Sequence, residues 1–196
     1  MSAETPRERP ILFNDQMVRA ILEGRKTVTR RVVKDTGLYA IDAAIHGNDV
    51  ALREREALST RCPYGEPGDR LWVRETWGLQ VRSYGGGAGE FIVYRATNPD
   101  AIYCRSSEGR EYPVKWKPSI HMRRHSSRIL LEITAVRVER LQDISDPGAL
   151  AEGVSHSEMH SGDSLVDVFA RLWESIGGDW AANPWVWVVE FKRVTP

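Results

Sequence analysis

The sequence predicts an α+β fold, a curved or closed mixed β-sheet with peripheral helices. Three observations lead there: several separated strand patterns, one helix near the start, and two helices interposed before a last apolar strand. Strand count alone leaves a barrel and an open sheet as alternatives.

The early helix covers Phe13 to Glu23. Asn14 or Asp15 serves as its N-cap, Met17, Val18, Ile21 and Leu22 form one apolar stripe, and Gly24 sits at the position after its end. Lys26 to Val33 then alternates β-branched and charged residues and reads as a strand. Asp35 to Thr60 shows no sustained periodicity and reads as an insertion. Cys62 to Asp69 is turn chemistry, feeding a strand over Arg70 to Trp77. Tyr84 to Gly89 is a hairpin tip, since no lysine followed by serine or threonine closes it as a phosphate loop would. Glu90 to Ala96 is a strand, and Asn98 to Pro113 reads as polar loop.

Arg128 to Leu141 is the longest strand pattern, and a switch in its alternation predicts a bulge. Ser145 to Gly153 is a short helix with Ser145 or Asp146 as cap and Pro147 in its first turn. Asp163 caps a second helix carrying Leu165, Val168, Phe169, Leu172, Trp173 and Ile176, stopped by Gly177 and Gly178. Trp185 to Arg193 is a strand apolar enough for the sheet centre.

With 196 residues, 41% of them hydrophobic, the chain can bury one sizeable core. One domain spanning residues 1–196, with insertions near 35–60 and 78–128, is the expectation. Twenty-seven acidic and 27 basic residues cancel, so binding of nucleic acid through bulk charge is excluded and any polyanion site must be local. Arginine far outnumbers lysine, and its planar fork suits phosphate and base edges. Two cysteines make no disulfide framework, the first residues lack a signal peptide's pattern, and no apolar run reaches membrane-spanning length. A cytoplasmic protein with no membrane partner is expected.

Gly24-Arg25-Lys26-Thr27-Val28-Thr29-Arg30-Arg31 concentrates cations and hydroxyls directly after the first helix. A primary amine near a threonine hydroxyl can be a base beside a nucleophile; the alternative is a set of solvated charges at a strand start. In a regular strand Thr27, Thr29 and Arg31 share one face, and Lys26 points to the other. Cooperation between Lys26 and Thr29 therefore requires a turn or bulge between them.

Taken together, the helix followed by Gly24-Arg25-Lys26-Thr27-x-Thr29-x-Arg31, Pro67-Gly68-Asp69 leading into a strand, Ala149-x-x-Glu152-Gly153 and the terminal Val189-Glu190-Phe191 resemble the ASCH domain, a member of the PUA-like β-barrel superfamily. Cys62-Pro63-Tyr64-Gly65, Trp72-Val73-Arg74-Glu75 and Trp116-x-Pro118-Ser119-Ile120-His121 look like the longer form common in phage and prophage genomes. The resemblance implies a PUA-like mixed barrel with a cleft beside the first helix and strand, related to RNA-binding and modified-base-reading modules. Some small ASCH proteins are amidohydrolases that deacylate N4-acetylcytidine through a lysine, a threonine three residues later and a glutamate; Lys26, Thr29 and Glu152 fall on those positions. Other members are ribonucleases. A threonine needs a base to attack at neutral pH, and lysine serves only where burial or nearby cations such as Arg25, Arg30 and Arg31 lower its proton affinity. Glu152 fits proton transfer to the leaving amine or a hold on the pyrimidine edge, and Arg31 fits an oxyanion.

Candidate substrate contacts are Arg25, Thr27, Arg31, Tyr64, Trp116, Arg123 and Arg124. Tyr64, Trp77, Trp116 or Trp180 could stack a base, whereas Trp72, Trp185 and Trp187 read as core. The run from Lys115 to Arg128 is either a contact for a nucleic-acid backbone or a solvated loop. His121 and His125 with Cys62 and Cys104 lack the paired spacing of a zinc site, so no metal or cofactor is expected. The expected partner is a nucleoside or single-stranded RNA, and no protein partner is indicated. Hydrolysis of an N4-acylated cytosine, binding without chemistry, and RNA cleavage are the three readings left open. The first demands that Lys26, Thr29 and Glu152 converge.

Overall fold

The computed structural model describes residues 5–33, 62–84 and 87–194, so the insertion read near 35–60 lies outside the described residues. In chain order the elements are β1 (Glu8–Leu12), α1 (Asp15–Leu22), β2 (Val28–Val32), β3 (Arg70–Arg74), β4 (Trp77–Tyr84), β5 (Gly87–Tyr94), β6 (Ile102–Arg105), β7 (Glu111–Pro113), β8 (Leu130–Arg140), α2 (Asp146–Ala151), α3 (Leu165–Ser175) and β9 (Trp185–Val194). Five strands form the main sheet in the order β1-β3-β8-β9-β2. Among the described residues only the β1–β3 pair of this sheet is parallel.

Both faces of this sheet are covered. On one, Ile11, Leu71, Leu131, Ile133, Val189 and Phe191 pack with Val18 and Ile21 of α1. On the other, Val28, Val186 and Val188 pack with Ala149 of α2 and Leu165, Phe169 and Trp173 of α3. Coverage on both sides is why β9 is a nearly unbroken apolar run. Asn14 caps α1 as expected, its side chain accepting from the Met17 amide at 2.8 Å. The predicted bulge lies in β8, where the pairing with β9 slips between Ile133 and Ala135.

The closed barrel is not borne out among the described residues: β1 and β2 remain the sheet's edges, and no ladder joins them. The edges do come near each other, because Arg31 of β2 donates to the Leu12 carbonyl at the end of β1 at 2.7 Å. What stands is a mixed α+β fold with a curled sheet.

Several local expectations are corrected. The first predicted strand begins at Val28, not Lys26, because Arg25 and Lys26 still donate their amides to Ala20 of α1 at 2.9 and 3.0 Å. The next ends at Arg74, and Trp77 opens β4 instead. Asn98 to Pro113 is not loop throughout, since β6 and β7 pair as a hairpin around the Ser106–Gly109 turn. Ser164, one residue after Asp163, caps α3 in a reciprocal box with Asp167. Trp72 lies on the half-buried side of β3 beneath the Arg74 guanidinium, 5.4 Å from the ring, rather than in the core. The segment 78–128 is thus two hairpins and a basic loop. Gln80 bonds the Ile102 carbonyl at 2.9 Å, Tyr103 bonds Glu90 at 2.8 Å, and together they tie the hairpins to each other.

Candidate functional site

After α1 the chain runs alongside the end of α2, and three successive residues meet three successive carbonyls in reverse order. Arg25 Nη1 donates to Gly153 O at 2.5 Å, Lys26 Nζ to Glu152 O at 2.9 Å, and the Thr27 amide to Ala151 O at 2.8 Å. A helix end leaves its last carbonyls without partners and carries partial negative charge, so cations are favoured there. The closeness depends on Gly153: its φ is +97°, and a Cβ there would lie 2.9 Å from Ala20 Cβ and 3.1 Å from Lys26 Cβ.

Lys26 turns inward and is fully buried, a costly position for an ammonium unless it is paired. Its Nζ donates to Val28 O at 2.8 Å and to Glu152 Oε2 at 2.5 Å as well as to the Glu152 carbonyl. Burial pulls the proton affinity of Lys26 below the ordinary amine value, while the Glu152 carboxylate opposes the shift and Arg31 and Arg30 add to it. Three acceptors match the three N–H groups of an ammonium; a neutral amine has one fewer donor. The other Glu152 oxygen accepts from Arg30 Nη1 at 3.2 Å, and Arg30 Nη2 bonds Glu139 at 2.7 Å. Arg137 continues the alternation of charges between Glu139 and Glu190.

Thr29 lies on the opposite face of β2 from Arg30, paired with Val189, and is buried. Its hydroxyl makes no hydrogen bond among the described residues, and Lys26 is engaged elsewhere. The structure therefore brings Lys26 and Glu152 together, adds Arg30, and leaves Thr29 outside the bonded set. Arg31 and Lys26 both flank the Phe13 ring, at 5.3 and 5.6 Å from its centroid. Tyr64 is half-buried.

The remaining candidates lie apart. Arg25 is held by Glu23 as well as Gly153, and Thr27 is exposed. Trp116 covers Gly78, where a Cβ would come 3.3 Å from its ring. Trp180 packs edge-on against Phe169 in the α3 core, and Arg124 is engaged by Glu8 at 2.6 Å. By contrast, Trp77, Lys117, His121, Arg123 and His125 line one open cleft of about 350 Å³. Lys117 Nζ stands 4.6 Å over the Trp77 ring, and Trp77 and Lys117 also exchange backbone hydrogen bonds.

Sequence reasoning missed Arg30 and Glu139 as partners of the buried pair, though alternation in β2 did set Arg30 on the face away from Thr29. It also missed the bidentate bond of Arg128 to buried Glu75, both contacts at 2.9 Å. Among the described residues no group of three His, Cys, Asp or Glu is placed to hold a metal ion, and no helix is long and apolar enough to cross a membrane.

No family model matches the chain, and no curated protein is similar to it. Among solved structures it is similar to the ASCH domain from Lactobacillus crispatus JV V101, at 13% identity and a TM-score of 0.41 over 97% of this chain and 81% of that one. It is similar also to a DUF984 protein from Enterococcus faecalis V583, at 10% identity and a TM-score of 0.41 over 100% of this chain and 84% of that one. Likenesses this faint assign no activity.

Proposed function

We propose that this chain is a nucleoside- or RNA-directed protein of the ASCH kind, a single PUA-like unit working in the cytoplasm, that binds single-stranded RNA in the cleft beside Trp77. The observation carrying the proposal is the combination of a half-buried indole, a lysine lying over it and the exposed Arg123, His121 and His125 in one open cleft. A base entering the cleft displaces Lys117 from the ring. An exposed lysine–indole contact contributes about 0.5–1 kcal/mol, against roughly 1–3 kcal/mol for a stacked base, so the exchange is favourable. The freed ammonium and Arg123 then meet the phosphates. The curled sheet and the near approach of its edges through Arg31 and Leu12 support the PUA-like reading.

In this reading the Lys26–Glu152–Arg30 group fastens β2 to α2. A second reading, metal-independent deacylation of an N4-acylated cytosine, is favoured by the 2.5 Å contact of buried Lys26 with Glu152 and by the burial that lowers its proton affinity, and it requires Thr29, which lies outside the bonded set, to reach the amine. Lys26 would first pass a proton to Glu152. Thr29 would then lose its proton to the neutral amine and add to the acyl carbon, and the exocyclic amine would leave with the Glu152 proton; water would hydrolyse the resulting ester.

One set of assays separates the two. Labelled single-stranded RNA is expected to bind the wild type and to lose about tenfold in affinity in Arg123→Ala, the order of one charge-assisted contact, with the melting curve unchanged. No RNA binding by the wild type would end the first reading. Hydrolysis of N4-acetylcytidine that disappears in folded Thr29→Ala would establish the second.

A further inference from the structure

Beside the Trp77 cleft, the two hairpins enclose a second hollow of about 560 Å³, walled by Leu79, Tyr103, Tyr112 and Pro113 with Lys115 and Lys117 at its edge. Lys117 lines both cavities. We propose that this hollow is a second base subsite for the same single strand, with Lys117 holding the phosphate between a base on Trp77 and a base against Tyr112. The inference rests on the cleft reading above.

The chemistry of the walls selects the occupant. The volume lies within the usual range for small-ligand sites of about 300–1,000 Å³. Tyr103 is fixed in place, because its hydroxyl donates to one oxygen of Glu90, the one carboxylate in the lining, at 2.8 Å. Tyr112 is 42% exposed, uncommitted by any hydrogen bond among the described residues, and has the Arg110 guanidinium 5.6 Å from its ring centre. Lys115 and Lys117 are exposed and make no ion pair among the described residues, whereas Arg105 on β6 is neutralised by Glu111. Aromatic walls with unpaired cations at the edge fit a planar ring attached to a phosphate. A lipid tail would want an apolar mouth, and an acidic peptide would leave the rings without a partner.

The arrangement also explains why a chain with no net charge can hold a polyanion. Stacking is insensitive to overall charge, and only the cations bordering two adjoining hollows need to be free.

The test is binding of fluorescent single-stranded oligonucleotides of about five nucleotides, near the lower site size of single-strand-binding OB folds, in separate RNA and DNA arms, alongside a cytidine mononucleotide. Tyr112→Ala is expected to weaken the oligonucleotide roughly 5- to 100-fold and to leave the mononucleotide, which fills the Trp77 cleft alone, unchanged; Tyr112→Phe is expected to retain the wild-type affinity. Thermal melts check that the exposed substitution leaves the fold intact. If Tyr112→Ala binds the oligonucleotide like the wild type while Arg123→Ala does not, the second subsite is wrong and the cleft reading survives. If neither RNA nor DNA binds the wild type, both fall.

Discussion

Lys26 decides more of this molecule than any other side chain. It lies in the interior with Glu152 as counter-charge; removing Glu152 strands the ammonium, and removing Lys26 leaves the buried carboxylate with Arg30 alone. Lys26→Met and Glu152→Gln are each expected to lower unfolding free energy by about 3–5 kcal/mol. The double substitution is expected to cost clearly less than the sum, which a urea-denaturation cycle measures; strict additivity would mean the two groups do not depend on each other. The meeting of Lys26 and Glu152 was legible only through the resemblance, since nothing in local pattern links residues so far apart. Thr29 illustrates the opposite limit. Its face on β2 was readable from alternation, but whether its hydroxyl would touch the lysine depended on where the strand began, and two amides bonded to Ala20 moved that start to Val28.

Among the elements, β1 shows how a weak pattern becomes a strand. Glu8, Arg9 and Pro10 give no strand signal, and proline is tolerated because β1 is an edge. Asp69 fixes the register: its carboxylate accepts from the Arg7 amide at 3.0 Å and from Arg9 Nη1 at 2.7 Å. Burial alone would raise the pKa of Asp69, but the Arg9 bond and the amides of Arg7 and Glu66 outweigh it and hold the group below its ordinary value. The stability Asp69 contributes is therefore complete above the unfolded pKa of about 3.9 and is lost as pH falls through the lower folded value. The gap in urea midpoint between the wild type and Asp69→Asn is expected to be constant from neutral pH to about pH 5 and to close below about pH 4; a gap that widens in acid would contradict it. Elements with strong periodicity, such as α1, β8 and β9, were legible. The β6–β7 hairpin was not, because its strands of four and three residues are too short for alternation to show.

Over the whole molecule, charge is balanced in sum but not in place. The run 115–128 was readable as basic, yet the sequence could not tell which of its cations are free. Arg124 and Arg128 are taken by Glu8 and Glu75, and Lys115, Lys117 and Arg123 carry no ion pair among the described residues. Three free cations predict a shallow salt dependence for RNA binding, a slope of log K against log salt near about −2 for a single strand; a slope steeper than about −5 would point to a diffuse electrostatic surface instead. The seam between residues 25–27 and 151–153 has a temporal meaning too. The lysine leaves the ribosome 126 residues ahead of its glutamate, so a nascent chain must carry that ammonium in water until the partner emerges. Strand β2 cannot settle early, and its assembly waits on the closing third of translation.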